Sequence, residues 1–126
     1  MSEPLILVAE DERDIRELIV FTLQISGFKV VQVPNGEEAV KKALETTPDL
    51  ILMDVGLPGM DGLETTARLK DIPVISQIPV IALTANAMKG DRERCLAAGC
   101  DGYLQKPIGV TELRQQVMYF LDVSPT

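Results

Sequence analysis

Four short apolar runs, each stopped by a polar residue, constrain the fold of this chain more than any other feature. Leu5-Ile6-Leu7-Val8-Ala9 stops at Glu10-Asp11, Leu50-Ile51-Leu52-Met53 at Asp54, and Val80-Ile81-Ala82-Leu83 at Thr84. A weaker run, Gly102-Tyr103-Leu104, leads to Lys106-Pro107. Runs this short, apolar at successive positions, predict strands buried on both faces, as in a parallel sheet. Phe28 to Val33 alternates instead, and predicts a strand nearer an edge.

Helical patterns fill the intervals. Ile15, Leu18, Ile19 and Thr22 recur at i, i+3, i+4 and i+7, and Gly27 supplies a stop. After Asn35, the pairs Glu37/Lys41 and Glu38/Lys42 stand at i,i+4 in the favourable order. Asp61 and Glu64 form a capping-box pattern opening a third helix. A fourth helix is expected from about Met88 to Ala98, ending at Gly99, and Leu113, Val117, Phe120 and Leu121 stripe a fifth. Strand then helix, repeated through the chain with short connections, predicts right-handed parallel crossovers. The expected fold is α/β, an open doubly wound sheet of five parallel strands with helices on both faces. One domain is expected over residues 1–126, with its core at about 4–121 and a frayed tail from Asp122 to Thr126. The fifth helix uses up the chain, so no further output domain is expected.

Composition removes several functions. The chain has 126 residues and no histidine, so neither Ser-His-Asp nor Cys-His catalysis is available to it. Its 12 basic and 19 acidic side chains give −7, which opposes nucleic-acid binding. No apolar run approaches the roughly 18 residues of a membrane span, and Met-Ser-Glu-Pro lacks the basic start of a signal peptide. A cytoplasmic location without membrane insertion is expected. Cys95 and Cys100 lack CxxC spacing and further zinc ligands, and are expected to be small buried hydrophobes kept reduced.

A parallel sheet brings the carboxyl ends of its strands to one edge, where ligands bind. That edge should gather Glu10, Asp11, Asp54, Thr84 and Lys106. Each alone has a bland explanation: a strand-end Asp usually caps or turns, and Lys106 is an ordinary solvated charge. Glu12 and Asp14 read as first-turn acids complementing a helix dipole. The coincidence of complementary types at one edge carries the functional reading. Three crowded carboxylates repel unless one is protonated or a cation joins them. Mg²⁺ takes oxygen ligands and shares its shell with phosphate. Lys106 and Thr84 suit phosphoryl oxygens, and a carboxylate can act as nucleophile. The residues therefore predict Mg²⁺-assisted phosphoryl transfer onto an aspartate. A haloacid-dehalogenase-type phosphatase would need a second acid where Gly56 stands. A flavin site fits poorly with 4% aromatics, and neither GxGxxG nor GxxxxGK occurs.

Four motifs, in order, resemble the receiver domain of two-component response regulators across essentially the whole chain. They are Val8-Ala9-Glu10-Asp11, Leu52-Met53-Asp54-Val55-Gly56-Leu57-Pro58-Gly59-Met60-Asp61-Gly62, Leu83-Thr84-Ala85 and Tyr103-Leu104-Gln105-Lys106-Pro107. The resemblance implies a flavodoxin-like (βα)5 sheet of order 2-1-3-4-5. It implies that Asp54 accepts a phosphoryl group from the phosphohistidine of a histidine kinase or histidine phosphotransfer protein. Asp11 and Asp54 would bind Mg²⁺ directly, with the Gly56 backbone carbonyl, and Glu10 mainly through water. Lys106 would contact the phosphoryl oxygens, Thr84 would move toward them, and Tyr103 would turn inward as the switch. Lys106-Pro107 resembles the family's cis peptide bond. Such a protein acts on no substrate but itself, catalysing only its own phosphotransfer and dephosphorylation.

Two departures stand out. The acidic pair is Glu10-Asp11 rather than the commoner Asp-Asp. Gly56 and Asn86 occupy positions that influence water access to the acyl phosphate, and Gly56 offers no side chain, so a long-lived phosphoryl group is expected. Ala85 to Asp91 is similar to receivers of hybrid histidine kinases and of stand-alone regulators. Output would pass through the face made by the fourth helix, fifth strand and fifth helix, with Lys89, Arg92, Arg94, Tyr103, Arg114 and Gln115. It would reach a downstream protein target, or relay the phosphoryl group. The competing reading is a degenerate receiver acting only as a phosphorylation-independent interaction module.

Overall fold

The structure, a computed structural model, describes residues 3–85 and 90–121. Five strands and five helices alternate among these residues: β1 Leu5–Ala9, α1 Arg13–Ile25, β2 Lys29–Val33, α2 Gly36–Thr46, β3 Leu50–Asp54, α3 Gly62–Lys70, β4 Val80–Thr84, α4 Asp91–Ala97, β5 Gly102–Gln105 and α5 Val110–Leu121. All strand pairs are parallel, and the order is β2-β1-β3-β4-β5, as expected.

The apolar runs behave as two-faced strands. Leu7 and Ala9, Ile51 and Met53, and Val80 and Ala82 point to one core, with Ala39, Ala43, Leu69 and Cys95 from the helices. Ile6 and Val8, Leu50 and Leu52, and Ile81 and Leu83 point to the other, against Ile19, Leu23, Leu113 and Val117. Alternate residues thus serve opposite layers, which is why no polar residue interrupts a run. Strand β2 lies at an edge of the sheet, as expected, and keeps Lys29 and Gln32 exposed on opposite faces.

Helix ends follow their caps. Asn35 Oδ1 accepts from Glu38 N at 2.8 Å, and Asp61 Oδ1 from Glu64 N at 2.8 Å. After α1, Gly27 takes φ 97, a left-handed conformation available to it without a Cβ penalty. One expectation shifts. Leu18 is 48% exposed, because α1 buries Ile19, Val20, Thr22 and Leu23 instead. Helix α4 is described from Asp91, with Gly90 before it at φ 96; the expected start near Met88 falls on residues 86–89, outside those described. The tail from Asp122 also lies outside them. No helix among the described residues is long and apolar enough to cross a membrane.

Candidate functional site

Register dictates which side chains meet. Ala9 is level with Met53, so the next residues, Glu10 and Asp54, emerge side by side at the carboxyl edge. Asp54 is level with Leu83, which brings Thr84 alongside, and Thr84 is level with Gln105, which brings Lys106. The result is a cleft of about 290 Å³ lined by Asp11, Asp54, Gly56, Thr84 and Lys106, among others.

One carboxylate oxygen from each of Glu10, Asp11 and Asp54 lies within 4.8 Å of the others. Their burial differs. Glu10 is fully buried and Asp54 is 4% exposed, whereas Asp11 stands at the open mouth. Lys106 reaches in from the end of β5, with Nζ 2.8 Å from Glu10 Oε1 and 3.1 Å from Asp54 Oδ1. Asp54 Oδ1 also accepts the Gly56 N–H at 3.1 Å, and Glu10 Oε2 accepts the Glu12 N–H at 3.1 Å. The Lys106–Pro107 peptide bond is cis. Thr84 is buried, 2% exposed, at the end of β4.

The electrostatics are those of a crowded acid cluster. Burial pushes the Glu10 carboxyl up to about 7; the Lys106 ammonium and Glu12 N–H pull it back down, and Asp54 pushes it further up. Burial pulls the Lys106 ammonium down, but the Glu10 and Asp54 carboxylates outweigh it and leave its pKa above the ordinary lysine value. Glu10 Oε1 is buried and, despite the nearby ammonium, has no aligned hydrogen-bond donor among the described residues. An all-oxygen donor set with such an unsatisfied atom can hold a hard cation, and a cation here would lower the cost of ionising all three acids.

Gly62 fixes how Asp54 is presented. A Cβ there would collide with the Asp54 carbonyl oxygen and lie 2.7 Å from its carbon and 2.9 Å from Val55 Cα. Only a glycine lets α3 begin against the end of β3. At Gly56, by contrast, a Cβ would meet nothing nearer than Asp54 Oδ1 at 3.9 Å, so the approach to Asp54 is open by composition rather than by necessity.

On the neighbouring face, Tyr103 is half-buried, and its hydroxyl donates to Asp91 Oδ2 at 3.4 Å. Asp91 itself is 3% exposed and pairs with Arg94 at 3.1 Å. Gln116 Nε2 on α5 holds the Tyr103 carbonyl at 2.8 Å. Tyr103 thus touches both helices that flank β5. Sequence reasoning did not connect Asp91 to it, because a helix-start acid ordinarily reads as a dipole complement.

The class of protein follows from this convergence: a doubly wound α/β domain with an acidic cleft at its carboxyl edge. Residues 6–118 match the response regulator receiver domain, and the chain belongs to that family. It is 42% identical over 116 residues to the polar-differentiation response regulator DivK of Brucella anthropi, covering 92% of this chain and 94% of that protein. Among solved structures it is similar to a putative response regulator from Chloroflexus aurantiacus, with a TM-score of 0.92 and 29% identity, covering 96% of this chain and 99% of that one. It is likewise similar to the receiver domain of a sensor histidine kinase from Pseudomonas aeruginosa, at a TM-score of 0.90 and 37% identity, again covering 96% and 99%. That receiver carries a magnesium ion coordinated in its active site cleft.

Proposed function

We propose that this chain is a single-domain response regulator that accepts a phosphoryl group from a phosphohistidine onto Asp54 and changes its α4-β5-α5 face in response. The observation that carries the reading is the pairing of Lys106 with Asp54 inside a three-carboxylate cleft. Asp11, Asp54 and the Gly56 carbonyl would hold Mg²⁺, with Glu10 acting through water. When bound, the ion supplies charge neutralisation for the carboxylates and the incoming phosphoryl oxygens.

The residues themselves do the rest. The Lys106 ammonium and the Gly56 N–H both fall on Asp54 Oδ1 and orient the carboxylate, leaving Oδ2 lone pairs for attack. Attack on phosphorus forms the P–O bond of an acyl phosphate as the P–N bond breaks, and the departing imidazole belongs to the partner. This accounts for a receiver that needs no histidine of its own. Lys106 then serves the new phosphoryl oxygens, and Thr84 closes on them from β4. Tyr103, whose bond to Asp91 is long at 3.4 Å, can leave it at little cost and turn inward. The open approach at Gly56 leaves no side chain to guide water, so the acyl phosphate outlasts seconds in Mg²⁺ buffer. Partners are a histidine kinase or histidine phosphotransfer protein upstream and a protein target, or a second phosphotransfer protein, downstream.

The test is intact mass after incubation with Mg²⁺ and acetyl phosphate. A gain of one phosphoryl group, abolished by EDTA and in Asp54→Asn, is expected. No gain with any donor would overturn the reading and favour a phosphorylation-independent interaction module.

A further inference from the structure

Asp11 is the exposed member of the acid cluster, and its carboxylate receives no hydrogen bond from any described residue. Glu10 and Asp54 are held by Lys106 and backbone N–H groups; Asp11 is held by neither. Its position therefore depends on the backbone that carries it. That backbone lies beyond the sheet, since Glu10 N, bonded to Val33 O at 3.1 Å, makes the last tie to β2.

One side chain secures it. Arg16, on the first turns of α1, folds back so that Nη1 donates to Glu10 O at 2.9 Å and approaches Asp11 O at 3.5 Å. Its Nε donates to Gln32 Oε1 on β2 at 3.0 Å. A guanidinium is a rigid planar fork, so anchoring one edge on Gln32 fixes where the other edge holds the loop. Among the described residues, the two carbonyls it serves have no other hydrogen-bond donor.

From this geometry we infer that Arg16 is a positioning residue for the acidic cleft: it clamps the β1–α1 loop so that Asp11 is pre-set for a divalent cation. The inference rests on the cation-assisted reading above and assigns a residue to it. Partners that orient ligands from behind commonly change metal affinity by about 10–100-fold; one held through the backbone belongs at the low end.

The sign of the effect is diagnostic. By charge alone, deleting a cation beside three carboxylates would tighten divalent binding. Clamping predicts the reverse. The experiment titrates the whole chain with Mn²⁺, followed by electron paramagnetic resonance, and measures Glu12 amide exchange in EDTA. Glu12 N–H reports the loop directly, through its bond to Glu10 Oε2. Arg16→Ala should weaken Mn²⁺ binding about tenfold and speed Glu12 exchange in the metal-free protein. Gln32→Ala, which leaves the guanidinium charge and removes only its anchor, should move both readouts the same way by less. Arg16→Lys covers the case where the alanine variant fails to fold, and should weaken binding despite retaining the charge. Unchanged or tighter Mn²⁺ binding in these variants, or unchanged Glu12 exchange, would overturn the clamp. A wild-type chain that binds no Mn²⁺ would overturn the cation-assisted reading itself.

Discussion

Glu10→Gln should stabilise the cation-free protein at pH 8, although it removes half of an ion pair. Glu10 is fully buried, and its carboxyl rises from 4.5 to about 7, through burial first and then the neighbouring Asp54. Such a rise means that keeping Glu10 ionised costs the fold about 3 kcal/mol. Glutamine keeps an acceptor for the Glu12 N–H, and Lys106 keeps Asp54 as a counter-ion at 3.1 Å. Allowing about 1 kcal/mol for the lost Lys106 contact, the net gain is about 2 kcal/mol. For a domain of this length that is roughly 8 °C in Tm.

The pH dependence has a fixed sign. A carboxyl with a folded pKa above its unfolded one binds its proton more tightly in the folded state between the two values. Stability from this group is therefore present below pH 4.5 and lost as pH rises through 7. Thermal melts in EDTA should show the glutamine advantage at pH 8 shrinking below about 1 kcal/mol at pH 5, where wild-type Glu10 is already protonated in the fold. Saturating Mg²⁺ should narrow or reverse the advantage at pH 8, because binding stabilises the wild type more. If Glu10→Gln destabilises equally at both pH values in EDTA, crowding of buried carboxylates does not limit the stability of this site.

Three further outcomes are expected. Gly62→Ala should cost more than about 3 kcal/mol or prevent folding, since the atoms a Cβ meets are backbone of Asp54 and Val55 and cannot swing aside; urea denaturation checks it. Neither thiol should react with a disulfide reagent in the native state at pH 8, and both should react after denaturation. Burial pushes both up, Cys100 to about 11, and Cys100 is 5% exposed, so its thiolate is about 100-fold scarcer than for a free thiol. Lys70→Ala should cost about 1–2 kcal/mol yet leave phosphorylation by acetyl phosphate unchanged. Its ammonium serves Ser76 O, Ile78 O and Asp101 Oδ2 at the opposite edge of the sheet.

What the sequence disclosed and what it withheld divide along a physical line. The ends of β1, β3 and β4 could be read because a strand buried on both faces must be apolar at every position, so its first polar residue marks both its end and the site. Glu10, Asp54 and Thr84 were therefore legible as a group, whereas Lys106 follows the half-buried β5 and was placed by its motif. Ile75, 1% exposed within the α3–β4 connection, had no such signature. It lies between Pro73 and Pro79, with no period to assign it a face. Leu18 failed in the other direction: it fits the helical period of α1, yet the core accepts only the arc from Ile19 to Leu23. Arg16 was the least legible of all. What it grips are carbonyl oxygens, and every residue has one, so no pattern of letters distinguishes a clamping arginine from a solvated one. A side chain that acts on the backbone leaves its trace in geometry alone. The exposed Asp11 makes that geometry matter, because a carboxylate with no hydrogen-bond donor among the described residues is only as well placed as the chain beneath it.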